Sequence, residues 1–274
     1  MITGATRVAA VIGSPVRHSL SPALHNAAFA SLGLDWTYVA FEVAPGAAAG
    51  ALAAMRTLGI GGLSVTMPHK EDVADAVDEL EPAAAALHSV NTVSVGEDGR
   101  LHGHSTDGAG FVASLLEAGV DPSGRRVAVV GAGAAGRAVV DALARAGAAD
   151  VVVINRSADK AAAAAALAGA AGRVGAFDDV PGAEIVVNAT SVGLGSDEPA
   201  IDPGLLRAGQ VVADIVYHPL ETALLRAAAA IGTSTVDGLG MLVHQAVLQQ
   251  ERWHGHRPDP TVMRVAALAE LARR

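Results

Sequence analysis

Between Arg126 and Ala146 the chain runs Arg-Val-Ala-Val-Val, then Gly131-Ala132-Gly133-Ala134-Ala135-Gly136, then an amphipathic stretch. A short β-branched run, three glycines at this spacing and a helical pattern behind them suit one arrangement: a buried strand, a tight turn and a closely packed helix. The bare amides at the start of such a helix attract a pyrophosphate, and glycine lets it approach the backbone. In a chain with 31 glycines the spacing alone says little; the strand before it and the helix after it give it meaning.

The pattern continues on both sides. Strands are expected at Arg126 to Val130, Val151 to Ile154, Glu184 to Asn188 and Gln210 to Ile215, with helices at Ala134 to Ala146 and Ser157 to Leu167. Alternation of this kind predicts a parallel, doubly wound sheet. The alanine-rich run Ala161 to Ala171 reads as helix and not as linker. Earlier, Arg7 to Ile12, Thr37 to Val43 and Leu63 to Val65 read as strands, and Pro22 to Leu32 and Ala47 to Leu58 as helices. Val90 to Val95 and Leu101 to His104 form a hairpin, expected to turn on the two residues Asp98-Gly99. The helical patterns Leu239 to Arg252 and Pro260 to Arg273 follow the second sheet and are expected to return to the first domain.

At 274 residues there is room for two α/β domains with a cleft between them. A formal charge of −9 with no cluster of Lys and Arg argues against nucleic acid or an anionic membrane as partner. The apolar opening Arg7 to Ile12 is too short for a signal peptide, and no stretch reads as a membrane span. With no cysteine, disulfide and thiolate chemistry are absent, and a cytoplasmic protein is expected. Aromatic residues are only 3% of the chain, so its core must be built from Ala, Val and Leu.

Asn155-Arg156-Ser157 follows the second strand of the glycine-loop domain, where a carboxylate would favour NAD and a cation favours the 2′-phosphate of NADP. A planar guanidinium with amide and hydroxyl neighbours suits that phosphate, so NADP is the expected cofactor. In the first domain, Ser19-Leu20-Ser21-Pro22 precedes a helix, with Ser21 expected as its cap and Pro22 at its first position. A capping serine keeps its proton to donate, so Ser19 and Ser21 can together hold a carboxylate. Ser64-Val65-Thr66-Met67-Pro68-His69-Lys70 places Lys70 in the first turn of a helix expected to begin at Pro68. Asp107, in Thr106-Asp107-Gly108, precedes a helix running to Glu117 and reads as its N-cap. Set against Lys70, it could orient the lysine for proton transfer to an alcohol or carbonyl oxygen while hydride moves. His18 and His25 read as packing or surface residues, and no spacing suggests a metal site.

Together these residues resemble the shikimate dehydrogenase family along almost the whole chain. The resemblance rests on Gly13-Ser14-Pro15, His18-Ser19-x-Ser21-Pro22-x-x-His25, Val65-Thr66-x-Pro68-x-Lys70, Val90-Asn91-Thr92 and Thr106-Asp107-Gly108. It continues through the glycine loop, Asn155-Arg156, Asn188-Ala189-Thr190-Ser191, Tyr217-x-Pro219 and Asp237-Gly238-Leu239-Gly240-Met241-Leu242. It implies a substrate domain from residues 1–106 and 240–274, an NADP-binding Rossmann domain from 107–239, and reversible reduction of 3-dehydroshikimate to shikimate on the route to chorismate and the aromatic amino acids. It also implies Lys70 and Asp107 as the catalytic pair, with Ser19 and Ser21 on the substrate carboxylate, Thr66, Asn91 and Gln245 on its hydroxyls and Tyr217 lining the site. Gly131, Ala132, Gly133, Ala134 and Ala135 would hold the pyrophosphate, Asn155, Arg156 and Ser157 the adenosine phosphate, and Gly238 and Met241 the nicotinamide. The partners expected are small molecules, and the protein itself a monomer or homodimer.

Three positions depart from the family pattern: Ser64 and Ser105 stand where Asn is common, and Ala134 where a further Gly is common. A quinate/shikimate dehydrogenase using NAD shares most of these motifs. A nucleotide-binding regulator that has lost catalysis is the alternative of another class, though it would need neither Lys70 nor Asp107.

Overall fold

A computed structural model describes residues 1–274 and divides them into two compact units, 1–106 with 245–274, and 107–244. In chain order the first part contains β1 (Arg7–Gly13), α1 (Ser21–Ser31), β2 (Trp36–Glu42), α2 (Ala48–Leu58), β3 (Gly62–Val65), α3 (Lys70–Ala76), β4 (Glu79–Leu80), α4 (Pro82–Leu87), β5 (Thr92–Val95) and β6 (Leu101–His104). The middle contains α5 (Asp107–Glu117), β7 (Arg126–Val130), α6 (Ala134–Arg145), β8 (Asp150–Ile154), α7 (Ala158–Ala166), β9 (Gly172–Val174), β10 (Ile185–Asn188), β11 (Val211–Asp214), α8 (Ala223–Ala230) and β12 (Ser234–Val236). The chain closes with α9 (Gly238–His254) and α10 (Pro260–Leu271). The division between the units falls within the continuous helix α9, after His244.

The unit of residues 107–244 is the doubly wound parallel sheet, in the order β12-β11-β10-β7-β8-β9. Its central strands are covered on both faces. Val127, Val129, Val151, Val153, Ile185 and Val187 face one core, and Ala128, Val130, Val152, Ile154, Val186 and Val212 the other. That is why these strands read as unbroken apolar runs and not as alternating ones. The expected helix through Ala171 stops at Ala166; Gly169 takes a left-handed φ of 56° and a short 3-10 turn leads into β9.

The other unit has a mixed sheet, β2-β1-β3-β5-β6-β4, parallel where β1 meets β2 and β3, antiparallel where β5 meets β3 and β6. The β5–β6 turn is longer than expected. Gly96 N–H donates to Arg100 O (2.8 Å) and Gly99 N–H to Gly96 O (2.9 Å), so residues 97–99 form the loop and Gly99, at φ 79°, closes it. Pro68 does not open a helix: its peptide bond to Met67 is cis, His69 N–H closes a turn on Thr66 O at 3.1 Å, and α3 begins at Lys70. Ser21 is the first residue of α1 and Leu20 its cap, because Leu24 N–H bonds to Leu20 O (3.3 Å). Asp107 likewise opens α5 as a helical residue instead of preceding it.

The second half of α9 is seated on this sheet by Trp253. Its indole occupies the space above Gly62, where a Cβ would come within 2.4 Å of the ring, and its Nε1–H donates to Val93 O at 3.1 Å. Beside it His25 is fully buried, stacked on Tyr38 at 4.2 Å between ring centroids. Its Nδ1 lies 3.0 Å from Gln250 Nε2. No helix of the structure is long and apolar enough to cross a membrane.

Burial lowers the pKa of His25 from 6.5 to about 3. The folded state therefore resists a proton that the unfolded chain accepts, so the stabilising contribution is complete above pH 6.5 and is lost as pH falls from 6.5 towards 3, by up to about 1.4 kcal/mol per pH unit. His25→Asn, although less stable at neutral pH, should show a shallower loss of stability over this window in urea unfolding measured as a function of pH.

Candidate functional site

In residues 1–106, strands β1 and β3 are parallel neighbours, with Ile12 opposite Val65, so their C-terminal ends finish side by side. Thr66 N–H donates to Ile12 O (3.0 Å) and Ser14 N–H to Met67 O (2.9 Å). A Cβ on Gly13 would stand 2.4 Å from the Thr66 methyl, which is why the Gly13-Ser14-Pro15 segment needs glycine where it passes Thr66. Lys70 is half-buried and its carbonyl accepts Val90 N–H at 2.9 Å, fixing the lysine's main chain one residue from Asn91.

Asn91 is 3% exposed and bonded through both backbone and side chain. Its N–H donates to His104 O (3.0 Å) and its carbonyl accepts Val65 N–H (2.8 Å). Its carboxamide accepts Thr106 N–H at 2.8 Å and donates to Thr106 Oγ1 at 3.0 Å. Thr106 is thereby locked, and the half-buried Asp107 follows it by one peptide bond. Ahead of α1, Ser19 N–H bonds to Val16 O (3.0 Å) and Ser19 Oγ accepts Ser21 N–H (3.2 Å), so the Ser19 hydroxyl proton remains available to an acceptor such as a carboxylate.

Two residues that the sequence motifs did not single out join this assembly. The buried Tyr38 hydroxyl donates to Ser64 Oγ (2.7 Å), Ser64 donates to Gln249 Oε1 (2.8 Å), and Gln249 Nε2 donates to Asn91 O (3.3 Å). Burial pushes the Tyr38 phenol above its usual 10, keeping it a donor. Gln249 lies one helical turn beyond the buried Gln245, on the same face of α9, and that spacing was its only signal in the sequence.

In residues 107–244 the glycine loop divides three tasks. Gly131 takes φ 114° and a Cβ there would lie 2.7 Å from Ala189 O, so it makes the turn. Gly136 lies against the turn itself, with a Cβ 2.2 Å from Gly131 O, so it permits the close return of α6. Gly133, the exposed cap residue of α6, has nothing within 4 Å of its Cβ position: the backbone there is open to a ligand. The residues present therefore fit a dinucleotide pyrophosphate, with Ala132, Ala134 and Ala135 flanking the open glycine. Asn155 Oδ1 accepts Ala132 N–H (3.3 Å) and its Nδ2 donates to Ser157 O (3.0 Å), so it ties the loop to the end of β8. Ser157 caps α7, and Arg156 between them is exposed.

Four other sequence candidates fall here with clear packing reasons or positions. Gly108 allows α5 to lie on α6, since a Cβ would meet Ala138 O at 2.2 Å. Gly238 opens α9 where a Cβ would meet Ile215 O at 2.3 Å, and Met241, 8% exposed, packs in the core of the parallel sheet. Tyr217 lies just beyond β11, half-buried. The motif Asn188-Ala189-Thr190-Ser191 is held by a carboxylate the sequence did not reveal: Asp214 accepts from Asn188 Nδ2 (2.9 Å), Thr222 Oγ1 (2.7 Å) and Val216 N–H (3.0 Å). No group of three or more His, Asp or Glu side chains is placed to hold a metal ion.

A parallel sheet of this strand order, with a glycine loop opening its first helix, defines a dinucleotide-binding protein. Family models cover most of the chain: a shikimate dehydrogenase substrate binding domain at residues 11–93, a shikimate/quinate 5-dehydrogenase model at 114–203 and a shikimate 5′-dehydrogenase C-terminal domain at 238–268. A shikimate dehydrogenase (NADP⁺) of Thermococcus kodakarensis is 46% identical, over 99% of this chain and 100% of its own. A crystal structure of shikimate 5-dehydrogenase from Thermus thermophilus in complex with NADP(H) and shikimate is 39% identical with a TM-score of 0.91, covering 96% of this chain and 99% of that one. Another shikimate dehydrogenase, in complex with NADP⁺, is 36% identical with a TM-score of 0.94, covering 99% and 98%. The chain belongs to the shikimate dehydrogenase family.

The glycine loop can be tested directly. Gly133→Ala should fold and melt like the parent while weakening dinucleotide binding in titration calorimetry, because its methyl group would enter the open space into which a pyrophosphate fits. Gly136→Ala should lower the melting temperature, since its methyl group has a backbone carbonyl in its way.

Proposed function

We propose that the protein is an NADP-dependent shikimate dehydrogenase, which reversibly reduces 3-dehydroshikimate to shikimate in the biosynthesis of chorismate and the aromatic amino acids. What most supports this is that Lys70 and Asn91 are held by neighbouring main-chain bonds and the Ser19/Ser21 pair is ordered ahead of α1, in a chain whose relatives carry that name along their whole length.

When bound, NADPH supplies the hydride that reduces the ketone carbon. The chain's own residues bind, orient and move the proton. Ser19 and Ser21 donate to the substrate carboxylate and so set which face of the ring is presented. Thr66, Asn91 and Gln245 hold the ring hydroxyls, and Tyr217 lines the site. As the carbonyl carbon is reduced, its π electrons move onto oxygen, and the Lys70 ammonium gives that oxygen a proton; the resulting amine regains one from water. Asp107 orients the lysine. In the oxidative direction the neutral lysine takes the hydroxyl proton.

On the cofactor side, Gly131 to Ala135 cradle the pyrophosphate, Asn155, Arg156 and Ser157 take the adenosine phosphate, and Gly238 and Met241 form the nicotinamide end. The second reading is a quinate/shikimate dehydrogenase, favoured by the breadth of the family model matched at residues 114–203. We also infer cytoplasmic work as a monomer or homodimer with small molecules as partners, supported by the charge of −9 and the lack of cysteine.

Steady-state oxidation of shikimate and of quinate, each with NADP⁺ and NAD⁺, separates these readings: turnover confined to shikimate and NADP⁺ supports the first, and preference for quinate or NAD⁺ the second. Lys70→Ala should lower kcat by about 10²- to 10⁴-fold with little change in KM. Arg156→Ala should raise KM for NADP⁺ by about tenfold or more and leave KM for NAD⁺ unchanged, as expected of a charge-assisted bond to the 2′-phosphate.

A further inference from the structure

Immediately ahead of α1, the carbonyls of His18 and Ser19 both accept from one guanidinium. Arg274 Nη1 donates to His18 O at 2.5 Å and Arg274 Nη2 to Ser19 O at 3.3 Å. The guanidinium is held from behind by Glu270 on α10, whose Oε1 accepts from Arg274 Nε at 3.3 Å, and α10 packs along α1.

These two carbonyls belong to the peptide planes on either side of Ser19. A peptide unit is planar, so fixing its carbonyl fixes the whole unit. With both neighbouring planes held, the φ and ψ of Ser19 are fixed, and with them the direction of its Cα–Cβ bond. The planar fork of arginine suits this task, since it presents two N–H groups in one plane at a set separation. The opposite side of the loop is held by Ser19 N–H on Val16 O (3.0 Å) and by Ser21 N–H on Ser19 Oγ (3.2 Å). A serine that must offer its proton to an incoming carboxylate is therefore held by a residue at the far end of the sequence.

We propose that Arg274 is a positioning residue for substrate binding: it clamps the two peptide planes around Ser19 so that the Ser19 hydroxyl is aimed at the substrate carboxylate. This rests on the reading of Ser19 as a carboxylate ligand. Arg274 does not touch the reacting atoms, so its loss should affect recognition and not the chemical step.

The test is steady-state kinetics of Arg274→Ala, Arg274→Lys, Glu270→Gln and Ser19→Ala, with shikimate and with its methyl ester, which lacks the charge. In Arg274→Ala we expect KM for shikimate to rise about five- to tenfold, with kcat and KM for NADP⁺ unchanged and the melting temperature close to the parent's. The increase should largely disappear with the methyl ester, a selectivity that a general loosening of the fold would not produce. Arg274→Lys keeps the charge but not the fork and should behave like Arg274→Ala; Glu270→Gln should shift KM in the same direction by less. An unchanged shikimate KM in Arg274→Ala, beside a raised one in Ser19→Ala, overturns the clamp and leaves the carboxylate reading intact. Full activity of Arg274→Lys also overturns it, because charge alone would then suffice. If Ser19→Ala leaves KM unchanged, both readings fall.

Discussion

Asn91 ties together the segments of residues 1–106 that carry Thr66, Lys70 and Thr106. Its backbone joins β3 to the end of β6, through Val65 N–H and His104 O, and its side chain makes two hydrogen bonds with Thr106. One buried residue thus fixes the end of β3, which leads into Thr66, and the end of β6, which leads through Ser105 to Thr106. An unpaired amide at such a depth would be costly, so each of these bonds is needed to keep the others. Lys70 is tied to the same point through Val90.

The dinucleotide-binding unit relies on a different constraint, the absence of side chains. Gly131 and Gly136 lack Cβ atoms because neighbouring carbonyls take their place, whereas Gly133 lacks one beside open space. Two of the three glycines therefore serve the fold, and the third faces open space. This asymmetry separates a functional glycine from a structural one more sharply than the spacing of the motif does.

Much of this was legible in the sequence. The parallel sheet could be read because its central strands are buried on both faces and appear as plain apolar runs, and the glycine loop because a strand precedes it and a helix follows. Lys70, Asn91 and the serines could be picked out through family resemblance, but the bond that ties Lys70 beside Asn91 could not, because it passes through backbone groups that every residue shares. Turns were the weak point. Pro68, Asp98-Gly99 and Ser21 each carry a standard local signal, yet in each case a hydrogen bond one or two residues away shifts the boundary. Tyr38, Gln249 and Asp214 stayed hidden because their meaning lies in partners distant in sequence: Ser64 for Tyr38, Asn91 for Gln249 and Asn188 for Asp214. The Ser64 departure also becomes intelligible, for its hydroxyl is already engaged as both acceptor and donor.

The seating of Trp253 over Gly62 joins a residue near one end of the chain to a strand near the other. A ribosome delivers the strand first, then well over a hundred residues that make up the other unit. At synthesis rates of about 5–20 residues per second, the gap lasts on the order of ten seconds. Throughout that interval the sheet face awaiting the indole is bare, while the intervening unit has all of its own strands to hand. The order of birth of the two units is thus set by the route of the chain: the part inserted second in the sequence can be complete first, and the substrate-binding part must wait, partly uncovered, for its last helices.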